Sequence, residues 1–416
     1  MNQQAQRSTV GSQRSRVMGV RYALLVLGGI SLIVGMNFGL ILLGFEAPLV
    51  GNNLELLHAQ LMVFGFLGTL ISLERAVAVR KPWAFIAPVG FGLGAILLLT
   101  DLPQQVGEAL QLIGSLGLVE CYRLAWKRVP NTALSVQILG AVLAVGAACL
   151  WLGGTATELI VPWLCGFIVL TIVGERLDLA RLNIGSPRAE SWALSFAVAT
   201  AVGAAGSLLW HTVGLVIFGC SLLALVGWLL RYDIAMKTIR SSGLPRYTAA
   251  CLLSGYIWLA FAGVMWVAID PDSSAGLYDL TIHAVFIGFA LSMVLGHAPI
   301  ILPAVLGRPL PYRAVMWIPL IILQASLILR VFVGDLRSIT WAWQVGGATN
   351  VFAMMLFLVV AVGSVVLGAQ ADGLRSHSKY ERDSVVPTGS VGAPTLLPLV
   401  GKDPDRESQT ERGSHD

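Results

Sequence analysis

His58-Ala-Gln-Leu-Met62-Val-Phe64-Gly65-Phe66 is an apolar run entered through a histidine, near the start of a hydrophobic segment from Leu54 to about Val79. That segment is long enough to cross a bilayer, which takes roughly 20 mainly apolar residues. A second run of this kind, His283-Ala-Val-Phe-Ile-Gly288-Phe289, lies far downstream, again near the start of a spanning-length segment. Ionisable residues are costly inside a membrane and are functional candidates by default. The two histidines are expected to face each other and hold a metal or a haem.

The rest of the chain agrees with a membrane setting. Of 416 residues, 56% are hydrophobic and only 12% charged, with a mean hydropathy of +0.78. A soluble domain carries about a quarter charged residues. Nothing in the composition suggests a nucleic-acid partner; the bilayer itself is the expected one. The first sixteen residues are polar and basic (Arg7, Arg14, Arg16) and lead into an apolar segment with no small-residue cleavage site. A cleaved signal peptide is therefore not expected. Cys121, Cys149, Cys165, Cys220 and Cys251 lie in or beside apolar segments, and none forms a C-x-x-C pair. Neither a disulfide framework nor a structural zinc site is supported.

Hydropathy gives twelve candidate spans, at about 20–44, 54–79, 84–100, 106–126, 131–153, 157–176, 190–211, 213–232, 246–269, 278–304, 313–333 and 340–368. The even-numbered spans are followed by basic loops, among them Arg80 with Lys81, Lys127 with Arg128, Arg181 with Arg188, and Lys237 with Arg240. The alternate loops carry Glu46, Asp101, Glu158, Asp270 and Asp272. Arg330 and Arg337, near the eleventh loop, are the exception. The positive-inside rule then places both termini in the cytoplasm. The expected organisation is an N-terminal cytoplasmic tail (1–16), one membrane domain (17–370) and a disordered cytoplasmic tail (371–416) rich in Ser, Gly, Pro and charge.

An internal repeat organises the spans. Gly65-Phe66 is followed nine residues after the glycine by Glu74-Arg75, Gly166-Phe167 by Glu175-Arg176, and Gly288-Phe289 by His297. Trp83-Ala84 and Trp192-Ala193 open the helices after the first two, and Arg21-Tyr22 and Arg246-Tyr247 open the first and ninth spans. The shared order predicts an all-α, polytopic integral membrane protein of 12 transmembrane helices. These form a pseudo-threefold arrangement of three four-helix units, about 17–128, 129–232 and 246–368. Three times four helices resembles the core subunit of the haem–copper oxidases, whose second and tenth helices supply axial histidines to a haem.

Six histidines are present. His377 and His415 fall in the tail. His211 ends the seventh span, where an imidazole can simply reach water. His58 and His283 differ in kind: at 1.5 Å per residue their depths agree within about 3 Å. Two neutral imidazoles at one depth could bind haem iron axially among the surrounding Leu, Phe and Met. The competing reading is a pair of membrane histidines bonded to neighbouring carbonyls or hydroxyls. They stand seven and five residues before their Gly-Phe, an offset that would turn a regular helix by about 200°. His297 is 14 residues beyond His283, about 21 Å along the helix, so it cannot share that metal. With Glu74–Arg75 and Glu175–Arg176 it could form a proton inlet or simply anchor helix ends. Pro299 and Pro303 free carbonyls that its ring could cap. Met62 and Met293 are soft candidates for cofactor contact or for packing. His297 and His211 remain secondary metal candidates.

These motifs resemble the NnrS family of bacterial twelve-helix membrane proteins. The family's second helix reads close to H-A-H-E-M-L-F-G-F; His58, Ala59, Met62, Phe64, Gly65 and Phe66 match in register. Its later motif reads close to H-A-x-x-x-G-x-x-x-x-M and ends near G-H-T-G-R-P-L. His283, Ala284, Gly288, Met293, Gly307, Arg308, Pro309 and Leu310 match it. The resemblance implies a multi-pass protein of the bacterial cytoplasmic (inner) membrane that binds haem iron and copper, in the handling of nitric oxide. Gln60 and Val305 stand where that family has histidines, so a copper site would lose two of its expected ligands. With them goes the second metal that a reductase of oxygen or nitric oxide normally needs. One haem, of b type, held by His58 and His283 is the resulting expectation, with a small gaseous or redox molecule as its partner. Enzyme activity stays open at this point. The alternatives are a small-solute transporter without cofactor, for which Asn37, Gln60, Gln137, Gln324 and Asn350 offer a thin polar supply, and an assembly factor for a respiratory complex.

Overall fold

In lipid every backbone N–H and C=O must be satisfied within the protein, so apolar spans of this length fold as helices. The computed structural model describes residues 2–49, 54–181, 186–269, 274–308 and 310–384, with side chains within 18–365, and contains helices but no strand among them. We number the rods in chain order: α1 (Asn2–Leu42), α2 (His58–Val79), α3 (Pro82–Leu97), α4 (Gln104–Arg128), α5 (Thr132–Leu152), α6 (Thr157–Ala180), α7 (Pro187–Gly206), α8 (His211–Tyr232), α9 (Gly243–Ala268), α10 (Ala275–Leu306), α11 (Ala314–Asp335) and α12 (Thr340–Ser384). Residues 1–370 form one unit; of the second, 371–416, the described part is helical to Ser384, and the expected disordered tail beyond it lies outside the described residues. The N-terminal tail expected at 1–16 is helical from Asn2.

Nine of these rods are long and apolar enough to cross a membrane among the described residues. The other three are α3, α4 and α7. α3 is too short, α4 carries Glu108, Glu120, Arg123, Lys127 and Arg128, and α7 opens on Arg188 and Glu190 before an Ala- and Gly-rich run. Large apolar side chains face outward along the rods, such as Ile257 at 69% and Val359 at 63% exposed. That is the surface a bilayer covers.

The rod ends follow local chemistry. Asn131 caps α5 by accepting from the Leu134 N–H at 2.7 Å, and Ser274 caps α10 by accepting from Leu277 at 3.2 Å. Such caps satisfy backbone donors that a helix start leaves open. Among the nine spanning-length rods the Gly-Phe rods are the most interior: 72% of the apolar stretch of α6 is buried, and 61% of those of α2 and α10. Phe64 of α2 meets Phe167 of α6, Phe91 of α3 and Trp151 of α5 edge-on, with centroids 5.1–6.1 Å apart. α10 touches both α2 and α6.

Close backbone contact joins α3 to α4. A Cβ built on Gly90 would lie 2.6 Å from the Cα and N of Gly114 and from the Leu110 carbonyl oxygen. Backbone cannot step aside as a flexible side chain would, so Gly90→Ala should destabilise by about 1–3 kcal/mol. At Gly227 a Cβ meets nothing within 4 Å. Melting temperatures in detergent should fall clearly for Gly90→Ala and stay level or rise for Gly227→Ala; equal melting would refute the packing account.

Candidate functional site

His58 and His283 line one cavity of about 660 Å³, bounded by α1, α2, α6, α10 and α12 and by Arg330 of α11. The volume lies in the range of small-molecule and cofactor sites.

Each imidazole is oriented by a partner on its Nδ1. His58 sits 2.7 Å from the Gly35 carbonyl oxygen. A carbonyl only accepts, so Nδ1 carries the proton and Nε2 keeps its lone pair. The ring fits because α1 is small there: a Cβ on Gly39 would lie 3.0 Å from His58 Cε1, and one on Gly35 would strike Met62 Sδ at 2.8 Å. Gly35-Met-Asn-Phe-Gly39 is thus a G-x-x-x-G contact that lets two helices approach closely.

His283 Nδ1 lies 2.9 Å from the Asp279 carbonyl oxygen and 3.1 Å from its Oδ1, one turn back on α10. Arg330 Nη2, a donor, also lies 3.3 Å from Nδ1; the two closer acceptors favour the proton on Nδ1, which leaves the lone pair on Nε2. The Asp279 carboxylate is fixed by Arg330, whose Nη2 donates to Oδ2 at 2.9 Å, and by Trp343 Nε1 at 3.0 Å. A carboxylate behind an imidazole is the arrangement that orients metal-ligating histidines and raises their basicity. Asn350 also lines the cavity. Its Oδ1 accepts from Ser326 Oγ at 2.5 Å, while its buried Nδ2 has no partner among the described residues.

The two rods are irregular beside these histidines. Residues Leu61–Gly68 of α2 and Ala284–Leu291 of α10 form π-helical turns. Such turns often mark functional sites, and they invalidate the uniform 3.6-residue phase from which the seven-versus-five offset was reckoned.

Met62 lines the histidine cavity, but Met293 does not. Met293 lies ten residues past His283, roughly 15 Å along α10, and lines a second cavity of about 460 Å³ with Glu74, Glu175 and His297. The three positions nine past each Gly-Phe glycine therefore converge. Arg75 joins two of them, donating to Glu74 Oε1 at 2.7 Å and Glu175 Oε1 at 3.2 Å. Arg176 instead pairs with Asp233. His297 Nδ1 bonds the Met293 carbonyl at 2.7 Å, not a carbonyl freed by the prolines. His211 starts α8, with Nδ1 3.2 Å from the Ser207 carbonyl, and lines neither cavity. Gln60 turns towards Gln111 on α4 at 3.2 Å, and Val305 is buried with Leu24 and Leu73. Among the described residues no group of three or more His, Cys, Asp and Glu could hold a metal ion. A bare ion with a full protein ligand set is thus not provided. A haem needs only two axial imidazoles, and a mainly apolar cavity lined by two histidines meets that requirement.

Asp279, Arg330, Trp343 and the Gly35–Gly39 face were not among the sequence-level candidates. Two signals for them existed: Asp279 is placed i,i+4 to His283 inside an apolar span, and Arg330 breaks the charge pattern of the loops.

Fold and cavity together define an all-helical chain with nine helices long and apolar enough to cross a membrane among its described residues, and with two adjoining internal cavities. The chain belongs to the family described as a domain of unknown function (DUF8744), which matches residues 21–366. No match is found among curated proteins.

Proposed function

We propose that this chain is a twelve-span protein of the bacterial cytoplasmic membrane, with three four-helix units and cytoplasmic termini, that holds a haem between His58 and His283. Its work is the handling of nitric oxide or of respiratory electrons, in line with the NnrS-like motifs. The observation that carries the reading is that both imidazoles line one cavity with Nδ1 engaged, so that Nε2 is the atom each would offer to iron. Bound haem would supply an iron centre for one-electron transfer and small-ligand binding. The chain's own contribution is to fix both tautomers, to surround the porphyrin with apolar side chains such as Met62, Phe286 and Ile287, and to hold Asp279 behind His283.

An absorption spectrum of the purified protein, oxidised and dithionite-reduced, with iron and copper analysis, tests this. A Soret band, sharp reduced bands and roughly one iron per chain are expected. A colourless, metal-free protein, after expression with added haem precursor, would overturn the haem assignment. It would favour the alternative, a small-solute transporter, for which one observation speaks: Leu67 and Met354 line both cavities, which therefore adjoin.

Asp279→Leu removes the carboxylate behind His283 and leaves Arg330 without its partner. Loss of such a partner typically costs 10–100-fold in metal affinity. Haem titration into the apoprotein should show a drop of that order; unchanged affinity would mean that Asp279 merely pairs with Arg330.

A further inference from the structure

We infer that the second cavity is a binding site for an uncharged, hydroxyl-bearing lipophile of the hydroquinone class, taken up from the lipid. The cavity lies between α1, α2, α6, α10 and α12, and its walls are almost wholly apolar, with Phe66, Ile172 and Phe357 among them. Its rim includes Val26 of α1 and Val362 of α12, which are 59% and 55% exposed. The cavity thus extends to residues that are exposed on two helices of spanning length, the route by which a molecule dissolved in the bilayer would reach it.

Besides the hydroxyls of Thr171 and of Tyr22, the latter bonded to the Leu306 carbonyl, the polar lining is His297, Glu74 and Glu175, and these three select the head group. His297 has its Nδ1 committed to the Met293 carbonyl, so its Nε2 is an acceptor; that atom is buried and has no partner among the described residues. Glu74 and Glu175, each paired with Arg75 as a carboxylate, add acceptors. Two carboxylates face one shared guanidinium, Arg75, because Arg176 is bound to Asp233. That surplus of negative charge disfavours a carboxylate or phosphate head. Three acceptors on three helices call for hydroxyl donors, and a ring with two hydroxyls and an apolar tail supplies them where a quinone or a fatty acid does not. The site stands on its own geometry and does not depend on haem being held in the adjoining cavity.

Calorimetric titration of a decyl-tailed benzohydroquinone into the full-length, detergent-purified protein, under anaerobic reducing conditions, tests the assignment. Saturable binding is expected. The oxidised quinone should bind about 10-fold more weakly, because it offers the imidazole no donor. Decanoate should bind more weakly still. His297→Leu should weaken hydroquinone binding about 10-fold. Ile172→Trp, which fills the cavity and leaves the polar residues in place, should abolish it. Gly227→Ala, in neither cavity and with nothing within 4 Å of an added Cβ, should bind as the parent does. Absence of saturable binding, equal affinity for quinone or decanoate, or parental affinity in both His297→Leu and Ile172→Trp would overturn it. A colourless protein that still binds the hydroquinone would overturn the haem reading alone.

Discussion

His58→Ala and His283→Ala should each strip haem absorption from the purified protein, while His211→Ala leaves it unchanged. The two axial candidates come from different rods and are oriented independently, His58 by a backbone carbonyl of α1 and His283 by a carboxylate of its own helix. No third His, Cys, Asp or Glu completes a ligand set with them among the described residues. Removal of either imidazole therefore leaves one protein ligand and a cavity whose remaining walls are mostly apolar. We expect Soret absorbance per unit protein to fall by about 10-fold or more in each single variant. A variant that keeps His58 but crowds it, Gly39→Leu, separates ligation from folding. The added side chain would start 3.0 Å from Cε1 of the ring. Its spectrum should show lost or altered axial ligation while α1 and α2 remain helical by circular dichroism. Full haem retention in both histidine variants would rule out the bis-histidine assignment.

The run of apolar, spanning-length helices and the repeated Gly-Phe spacing were legible because both are written directly in the sequence. The nine-residue step from Gly65, Gly166 and Gly288 led to Glu74, Glu175 and His297, and those three side chains share a cavity. What escaped was carried by geometry. The π-helical turns in α2 and α10 have no simple residue signature, so a uniform helical phase put His58 and His283 in apparent conflict. Met293 was paired with His283 through a motif, although ten residues of helix carry it into the other cavity. Arg330 was visible only as a basic residue on the wrong side. Burial against Asp279 and Trp343 explains it: the side chain is 7% exposed and faces the bundle interior, so it need not follow a rule that governs loops. The span count shows the same limit, because α4 and α7 carry charge and small residues that depress hydropathy without preventing a helix.

Loss of Asp233 should be the most damaging single change outside the two cavities. Asp233 is buried at the end of α8 and binds Arg176 of α6 through both oxygens, with Nε–Oδ2 at 2.7 Å and Nη2–Oδ1 at 2.8 Å. Tyr256 of α9 donates to Oδ2 at 2.7 Å, and the Ala235 N–H donates to Oδ1 at 2.7 Å. One carboxylate thus ties three rods and the turn after α8. Asp233→Ala leaves a guanidinium that is 5% exposed without its counter-charge, and breaking a buried pair this way costs about 3–5 kcal/mol. The melting temperature in detergent should drop steeply, with much of the protein lost to aggregation. Arg176→Met combined with Asp233→Leu removes both charges, and because the cost comes chiefly from the stranded charge, the double variant should recover most of the loss. If the single variant melts like the parent, the guanidinium has found water or headgroups, and the ion pair is an interfacial anchor. If the double variant stays as unstable as the single one, Tyr256 and Ala235 carry the junction through their own hydrogen bonds. In that case it is the carboxylate's acceptor capacity, more than its charge, that holds α6, α8 and α9 together.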